Sequence, residues 1–476
     1  MTVGNGMISG MEKGMSENIV NLFTGDIVVI SNEQENNNVL FDTMSGKPVK
    51  VIKNYDQIRK LLDQEEIIEK YLPATAGLVF VLTSGSEMGN IMLLGVDIEK
   101  YQEMFPESFK VTEGKLFKSG ERGLLVAEET RKLVYEFMNF WILPEGEKLD
   151  KRKLPADALE AVDTLEVRDN LVFMGASTSN AAMDIRVPVT GIIEYKALNK
   201  IWGNYCIVDI ESFREAHNYV TGADSKVEIS REKKELLETE ELDHLFSSED
   251  IIENTAVTSE SISLKDLKTQ THIEEREYNP DAGSYNMVFI KLKQGVSPKE
   301  ALAKLNDNFK KDNLNVRAVS WKDAVGTIGS MAVMIKASLN LFIMFIFFVA
   351  IIIIMNTLSM AALERVSELG MMRAIGAKKG FLRKMFVYET GILSFFFGGL
   401  GIIVGVMLIY LLQAANITTT NEMLQLVYGG DKLHPIYTSG DFILGIFELS
   451  IVTLLSVLYP LRVVGKIVPL DAITRD

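Results

Sequence analysis

The chain has 476 residues, a net charge of -15 and a single cysteine, Cys206. The negative balance argues against a basic face that binds nucleic acid, and one cysteine cannot form an intrachain disulfide. The four histidines lie far apart and lack metal-ligand spacing, so neither a metal site nor a cofactor is predicted. Residues 1–330 form a mixed, charged region, whereas the long apolar runs lie in residues 331–476.

Residues 1–24 predict a helix with two distinct faces. Apolar side chains recur at helical spacing on one face: Met7, Met11, Met15 and Ile19. Glycines recur at every fourth residue on another face: Gly6, Gly10 and Gly14. Each glycine costs a helix about 1 kcal/mol relative to alanine, so the repeat predicts a neighbouring backbone packed closely against it. The alternative is a flexible start of the chain.

Residues 25–330 predict a two-lobed α+β domain, because strands and helices interleave with Gly-rich turns. Strands are predicted at Asp26–Ser31, Lys47–Lys53, Gly77–Thr83, Gly123–Val126, Arg186–Ile193, Ile207–Ile210, Asn286–Lys293 and Asn315–Ser320, and a strand with a helical turn at Met92–Phe105. Helices are predicted at Tyr55–Lys70, Ala127–Phe137, Ser212–Tyr219 and Pro298–Lys311. An amphipathic stretch from Trp321 is predicted to run straight into the apolar region.

Residues 222–282 stand apart as an acidic insertion. There are 17 acidic and 7 basic residues between Gly222 and Asp281, with few aromatics and no sustained periodicity. This composition is typical of a disordered or loosely ordered insertion. The alternative is a short helix at Ser230–Phe246.

Three segments are apolar enough to cross a bilayer, which takes about 20 residues. They are about 338–360, 391–413 and 442–461. Lys and Arg mark the cytoplasmic side, and loop 361–390 is rich in both, whereas loop 414–441 has only Lys432. Loop 361–390 is therefore predicted to be cytoplasmic and residues 1–330 extracytoplasmic. The alternative is three buried helices of a soluble core.

An outer domain of this size needs an export signal, and the starting segment MTVGNGMISGMEKG lacks the charged and apolar regions of a signal peptide. We expect a first span before Met1, which residues 1–24 would continue outward. The alternative is export by the downstream helices.

Loop 361–390 contains ALERVSELGMMRAIGAKKGFLRKMFVYET. It resembles the cytoplasmic loop of ABC transporter permeases of the MacB/FtsX type, with their pattern E-R-x-x-E-x-G-x-x-R-A-x-G-A. The matching residues are Glu364, Arg365, Glu368, Gly370, Arg373, Ala374, Gly376 and Ala377. The segment Tyr459–Ile473 resembles the end of these permeases, and residues 25–330 more loosely resemble their extracytoplasmic core domain. Such permeases have four spans, and the Gly-spaced start is most similar to that of the lipoprotein-releasing members.

We expect the first span to continue as a helix to Leu369, Gly370 to break it, and Met371–Ile375 to form a short helix that Gly376 ends. The resemblance implies that this is a coupling helix bound to a cytoplasmic ATPase. Its contact residues would be Glu368, Gly370, Met371, Met372, Arg373, Ala374, Ile375, Gly376 and Ala377. The alternative is an amphipathic loop lying on lipid headgroups.

Glu448 lies inside the third span, where a carboxylate costs a few kcal/mol and usually faces the bundle interior. We expect it to be protonated or paired with Lys336, and functional and structural roles both stay open. Gly401 and Gly405 form a G-x-x-x-G pattern that predicts a packing face in the second span. The sequence has no phosphate-binding loop, G-x-S-x-G or H-E-x-x-H, so no catalytic site is expected.

The resemblance implies an ABC permease subunit in a bacterial inner membrane, served by a separate ATPase and paired with a second copy or a paralogue. The implied cargo is a lipoprotein, peptide or other amphiphile handled on the outer face. The alternative is a regulatory or sensor subunit that activates a cell-wall enzyme or reads a ligand without moving cargo. A membrane-anchored enzyme has little support.

Overall fold

A computed structural model describes residues 1–41, 48–82, 88–155, 158–159, 165–175, 184–221 and 281–466. The acidic insertion, except for its last two positions, and the end of the closing segment lie outside the described residues. The strands are β1 Ile27–Ser31, β2 Ile68–Leu82, β3 Met88–Val96, β4 Phe109–Gly114, β5 Leu124–Ala127, β6 Phe140–Ile142, β7 Glu166–Arg168, β8 Asn170–Gly175, β9 Asp184–Tyr195, β10 Tyr205–Asp209, β11 Met287–Leu292 and β12 Val316–Ser320.

The helices of the outer region are α1 Thr2–Ile19, α2 Tyr55–Gln64, α3 Ile98–Met104, α4 Glu128–Met138, α5 Asn199–Trp202, α6 Ile210–Ala216, α7 Pro298–Lys311 and α8 Trp321–Ala324. The helices that follow are α9 Thr327–Glu364, α10 Val366–Ala374, α11 Lys379–Ala414, α12 Glu422–Tyr428 and α13 Ser439–Lys466. A π-helical turn, Val20–Thr24, joins α1 to β1.

The outer domain has two lobes that share one strand. The first half of the 15-residue strand β2 pairs with β11, in the antiparallel order β12-β1-β11-β2. From Thr75 onward, β2 pairs instead with β3, and near its end with β8. The predicted two-lobed α+β domain is therefore confirmed, with β2 common to both lobes.

The second lobe is a closed ring of six strands. The pairings run β2-β3-β10-β5-β9-β8 and return from β8 to β2. Alternate side chains of a strand point to opposite faces, so one set from each strand fills the ring interior. That interior is apolar and includes Val81, Leu93, Val126, Phe173, Val189 and Val208. The ring is thus a packed barrel without an open channel through these side chains.

The first lobe buries its sheet under two helices. In α7, Ala301, Leu305 and Phe309 recur every four residues and pack against the sheet, and Pro298 starts the helix where no amide partner is needed. Ile58 and Leu62 of α2 enter the same cluster. The predicted bounds of α7 are confirmed.

A third apolar core joins the outer domain to two helices that leave it. Met11, Met15 and Ile19 of α1 lie in this core, as do Ile328 and, at its edge, Ile335 of α9. The rings of Phe23 and Trp202 stack within it, with centroids 3.8 Å apart. The outer ends of α1 and α9 therefore form a stalk that is packed into the domain.

Among the described residues, three helices are long and apolar enough to span a membrane: Ile328–Glu364, Lys379–Ala414 and Ser439–Arg462. The central helix is α13, which packs against both α9 and α11. The three predicted spans, and the helical bundle that they form, are confirmed.

Some local predictions are wrong. The helix predicted at Tyr55–Lys70 ends at Gln64, because Ile68–Lys70 pair with β11. Within the described part of the predicted strand Lys47–Lys53, only Ile52 makes a bridge, to Tyr285. The stretch from Trp321 does not run unbroken into the span, since Gly326, at φ +50°, separates α8 from α9.

Candidate functional site

The loop between the first two spans folds into a separate helix, α10. The break from α9 occurs at Arg365, whose guanidinium Nη1 donates to the Glu389 carboxylate of α11 at 2.6 Å. The prediction that Gly370 breaks the helix is wrong, because Gly370 lies buried inside α10. A glycine within a helix costs only about 1 kcal/mol, which the burial of this face outweighs.

α10 ends where the sequence predicts. Gly376 has a φ of +107°, a conformation that glycine adopts without a Cβ penalty. Its amide donates to the Arg373 carbonyl at 3.1 Å, and the Ala377 amide donates to the Met372 carbonyl at 3.0 Å. These two bonds form a Schellman motif, which fixes the direction in which the chain leaves α10.

The two faces of α10 differ in exposure. Its inner face packs on the ends of the spans that lie away from the outer domain, where Leu369 meets Leu382, Phe386 and Val457. Its outer face leaves Met371 53% and Ile375 88% exposed. These two apolar side chains lie one helical turn apart, which makes the outer face of α10 the candidate surface for a partner.

The structure therefore divides the predicted contact residues. Gly370 is buried, Met372, Arg373 and Ala377 are half-buried, and Glu368, Met371, Ala374, Ile375 and Gly376 are exposed. The exposed set offers the most surface to a partner, whereas Gly370 is covered by the packing of α10.

Glu448 does not pair with Lys336, and this prediction is wrong. The Glu448 carboxylate accepts from the buried Asn5 side-chain amide, with N···O distances of 3.3 and 3.5 Å. Lys336 instead binds Glu12 of α1, with its Nζ 2.6 Å from the carboxylate. Because α1 runs beside the spans, it supplies the partners of both Glu448 and Lys336. The sequence alone could not predict either contact.

The glycine face of α1 packs against backbone, as predicted. A Cβ built on Gly10 would lie 2.4 Å from the His434 carbonyl oxygen, and one on Gly14 would lie 2.9 Å from that of Gly429. One on Gly6 would lie 3.3 Å from the Ile436 carbonyl oxygen. The partner is the extended outer loop between α11 and α13. In membrane proteins, the usual partner of such a glycine face is a second helix.

Side chains reinforce this contact, and the sequence reasoning missed them. Asn18 donates to the Gly429 carbonyl at 2.6 Å, and Ser9 donates to the Asp441 carboxylate at 2.9 Å. The signal was present as polar residues at every fourth position, Asn5, Ser9 and Lys13, together with the pair Gly429-Gly430 in the outer loop. We call the contact of α1 with residues 429–441 the clasp.

The two glycines of the predicted G-x-x-x-G pair in the second span differ in how closely other residues pack against them. A Cβ on Gly405 would lie 2.8 Å from the Thr2 Cβ, so α1 packs closely there. No described atom lies within 4 Å of a Cβ on Gly401, so within this chain Gly401 does not act as a packing position.

Comparison with known proteins agrees with this arrangement. The model of the FtsX-like permease C-terminal family matches residues 340–469. This range includes α10, the whole of the second and third spans, and all of the first span except its outer end. An uncharacterised ABC transporter permease of Methanocaldococcus jannaschii is 26% identical over 205 residues, and the ABC transporter permease YtrF of Bacillus subtilis is 30% identical over 128 residues. Residues 340–469 therefore form an FtsX-like permease C-terminal domain. The matches to the two relatives cover 41% and 26% of this chain, and 47% and 28% of the relatives, so the chain spans less than half the length of either.

Two solved structures are similar to the outer region of this permease. The periplasmic region of MacB from Actinobacillus actinomycetemcomitans gives a TM-score of 0.29 at 10% identity, covering 64% of this chain and 94% of that one. The extracellular domain of the transporter YknZ from Gram-positive bacteria gives 0.27 at 10% identity, covering 62% and 99%. Scores this low add nothing to the architecture, which rests on the strand pairing described above.

Proposed function

We propose that this permease passes the force of ATP hydrolysis, carried out by a separate cytoplasmic ATPase, to its extracytoplasmic domain. The observation that carries the proposal is the length and continuity of α9. Its 38 residues form one unbroken helix of about 57 Å at 1.5 Å per residue, longer than a hydrocarbon core of about 30 Å. Its outer end packs into the domain core, and its inner end adjoins α10.

The proposed ATPase contact is the outer face of α10. Met371 and Ile375 project from a helix whose opposite face is packed on the spans, so a push on them moves the bundle. Methionine adapts to the shape of a partner groove. The permease itself would hydrolyse no ATP, in keeping with the lack of a phosphate-binding loop in its sequence.

The proposed cargo is an amphiphile such as a lipoprotein or an apolar peptide, handled on the outer face of an inner membrane. A cleft of about 700 Å³ between α4 and β3 supports this, since Leu133, Met138 and Met92 line it beside the 73%-exposed Phe137. The working unit would be a dimer with a second copy or a paralogue. That assembly gives the exposed apolar side of α9, including Phe345 and Phe348, a protein neighbour in the bilayer.

Affinity capture from native membranes tests the ATPase contact. The change is Met371→Glu with Ile375→Glu, which places two charges on the exposed face without disturbing the packed one. Met372 is unsuited, because its half-buried side chain packs in the inner cluster and its loss would confuse contact with folding. We expect the double variant to lose a co-purifying ATPase that wild type retains.

The matched control is Lys379→Glu, which changes the charge of the same loop at an exposed position beyond α10. It should retain the ATPase. Capture of the ATPase by the double variant at the wild-type level would show that α10 is not the contact.

A further inference from the structure

The clasp has a repeating structure along α1. Successive positions, four residues apart, carry residues of the same kind: glycine at 6, 10 and 14, methionine at 7, 11 and 15, and a polar side chain at 5, 9 and 13. Four residues advance a helix by about 6 Å with about 40° of rotation. Moving α1 by one such step therefore brings chemically equivalent residues to the same partners.

We infer that α1 has two registers in the clasp and slides outward by one turn between them. In the described register, Gly10 faces the His434 carbonyl and Gly14 faces Gly429. One step outward brings Gly6 to His434 and Gly10 to Gly429, so glycine again stands at the two closest backbone approaches. Thr2 reaches the place of Gly6, where a Cβ would lie 3.3 Å from the Ile436 carbonyl oxygen. The reverse step is blocked, because it would bring Asn18 to the place of Gly14, where a Cβ would lie 2.9 Å from a carbonyl oxygen.

The polar contacts follow the same step. Ser9 donates to Asp441, and Asn5, one turn earlier, donates to Glu448. After the outward step, Asn5 stands at the place of Ser9 and donates to Asp441 in turn. Asn18 then leaves the Gly429 carbonyl, and Glu448 loses its donor. The described register keeps more hydrogen bonds and is therefore the resting one.

The surroundings leave room for the motion. α1 is fixed in the domain core through Ile19 and Phe23, so the domain moves with it. The outward step moves the domain away from the outer loop and widens the cleft of about 860 Å³ between them, which has Lys196 on the domain side and Thr418 on the loop side. Packed elements that slide by one turn between two arrangements are a known form of conformational switch.

The inference rests on the proposed function only for the source of the force. α9 lies beside α1 in the stalk and is joined to it by the Lys336–Glu12 ion pair. A push on α10 would reach α1 along this route. The existence of two registers is a separate matter, which can be measured without nucleotide.

Cysteine cross-linking in native membranes tests the two registers. The only natural cysteine, Cys206, is buried in the outer domain, so the background is low. The pair Ser9→Cys with Asp441→Cys reports the resting register, and Asn5→Cys with Asp441→Cys reports the advanced one. A short thiol cross-linker traps each irreversibly, so a minor register accumulates with time. We expect fast product for the resting pair, slower product for the advanced pair, and faster advanced product with Mg-ATP.

Two controls distinguish a change of register from small local fluctuations of α1. The pair Lys13→Cys with Asp441→Cys reports the blocked inward step and should give about tenfold less product than the advanced pair, because overpacking against backbone opposes that step. Adding Gly6→Ala should lower the advanced product about tenfold more than the resting product. In the resting register its Cβ would lie 2.6 Å from the end of the Ile409 side chain, which can move, and 3.3 Å from the Ile436 carbonyl oxygen, whereas in the advanced register it would meet the His434 carbonyl more closely.

Equal yields from the inward and advanced pairs, or no advanced product under any condition, would overturn the sliding inference. Advanced product that Mg-ATP does not affect, together with failure to capture an ATPase, would uphold the two registers and refute the proposed function. The pair Asn18→Cys with Gly430→Cys gives a second resting signal that leaves Asp441 intact, so a folding defect at Asp441 does not obscure the result.

Discussion

Gly10→Ala tests the close approach in the clasp most directly. The added Cβ would lie 2.4 Å from the His434 carbonyl oxygen and 2.8 Å from the Pro435 Cα. Both are backbone atoms, so neither can swing aside as the end of a side chain can. Overpacking of this kind costs about 1–3 kcal/mol, whereas alanine favours a helix by about 1 kcal/mol over glycine. The expected net loss is therefore up to about 2 kcal/mol.

The assay is thermal unfolding of the detergent-solubilised chain, followed by tryptophan fluorescence. Gly401→Ala is the matched control, because it makes the same change in a helix where no described atom lies within 4 Å. We expect Gly10→Ala to unfold at a lower temperature than wild type and Gly401→Ala to unfold at or above it. Equal or greater stability of Gly10→Ala would mean that the outer loop does not press on α1.

Three further predictions concern polar groups. Glu448→Leu leaves the buried Asn5 amide without an acceptor and should lower unfolding free energy by about 1–3 kcal/mol, whereas Glu448→Gln should not; equal melting temperatures would contradict this. Burial raises the pKa of Asp209 to about 6 from 3.8. Its folded form holds the proton more tightly, so this group adds up to about 3 kcal/mol of stability as pH falls from 6 towards 4. Asp209→Asn should flatten that part of the unfolding curve, and an unchanged pH dependence would refute it. Exchange of the charges in the half-buried Glu12–Lys336 pair should change stability by less than about 1 kcal/mol, because both side chains still reach solvent, and a larger loss would contradict this.

Periodicity and length could predict most of the fold. The three spans of about 20 apolar residues and the four-residue repeat of α7 are local features of the sequence. They do not depend on how the elements pack, so both could be predicted. The lateral order of the strands was not found, because strand pairing depends on contacts between distant residues. Nothing in the residue types of Ile68–Lys70 shows that β2 starts there, since the same residues also suit the last turn of a helix.

The candidate site was predicted in part for the same reason. Gly376 requires a conformation that favours glycine, so the end of α10 could be located from the sequence. The start could not, because the break at Arg365 depends on its bond to Glu389 in another helix. The partner of Lys336 likewise depends on how α1 lies beside α9. Which face of α10 stays exposed depends on packing and cannot be predicted from helical spacing.

The shared strand β2 has a consequence for how the outer domain moves. A hinge needs a few residues that can change backbone angles freely, but the passage from one lobe to the other lies within one continuous strand, which pairs with β11 up to Ala74 and with β3 from Thr75. The two lobes therefore swing together as a single lever arm. A displacement of a few ångströms at the stalk becomes a larger sweep at the far end of the barrel, with no loss to bending between the lobes.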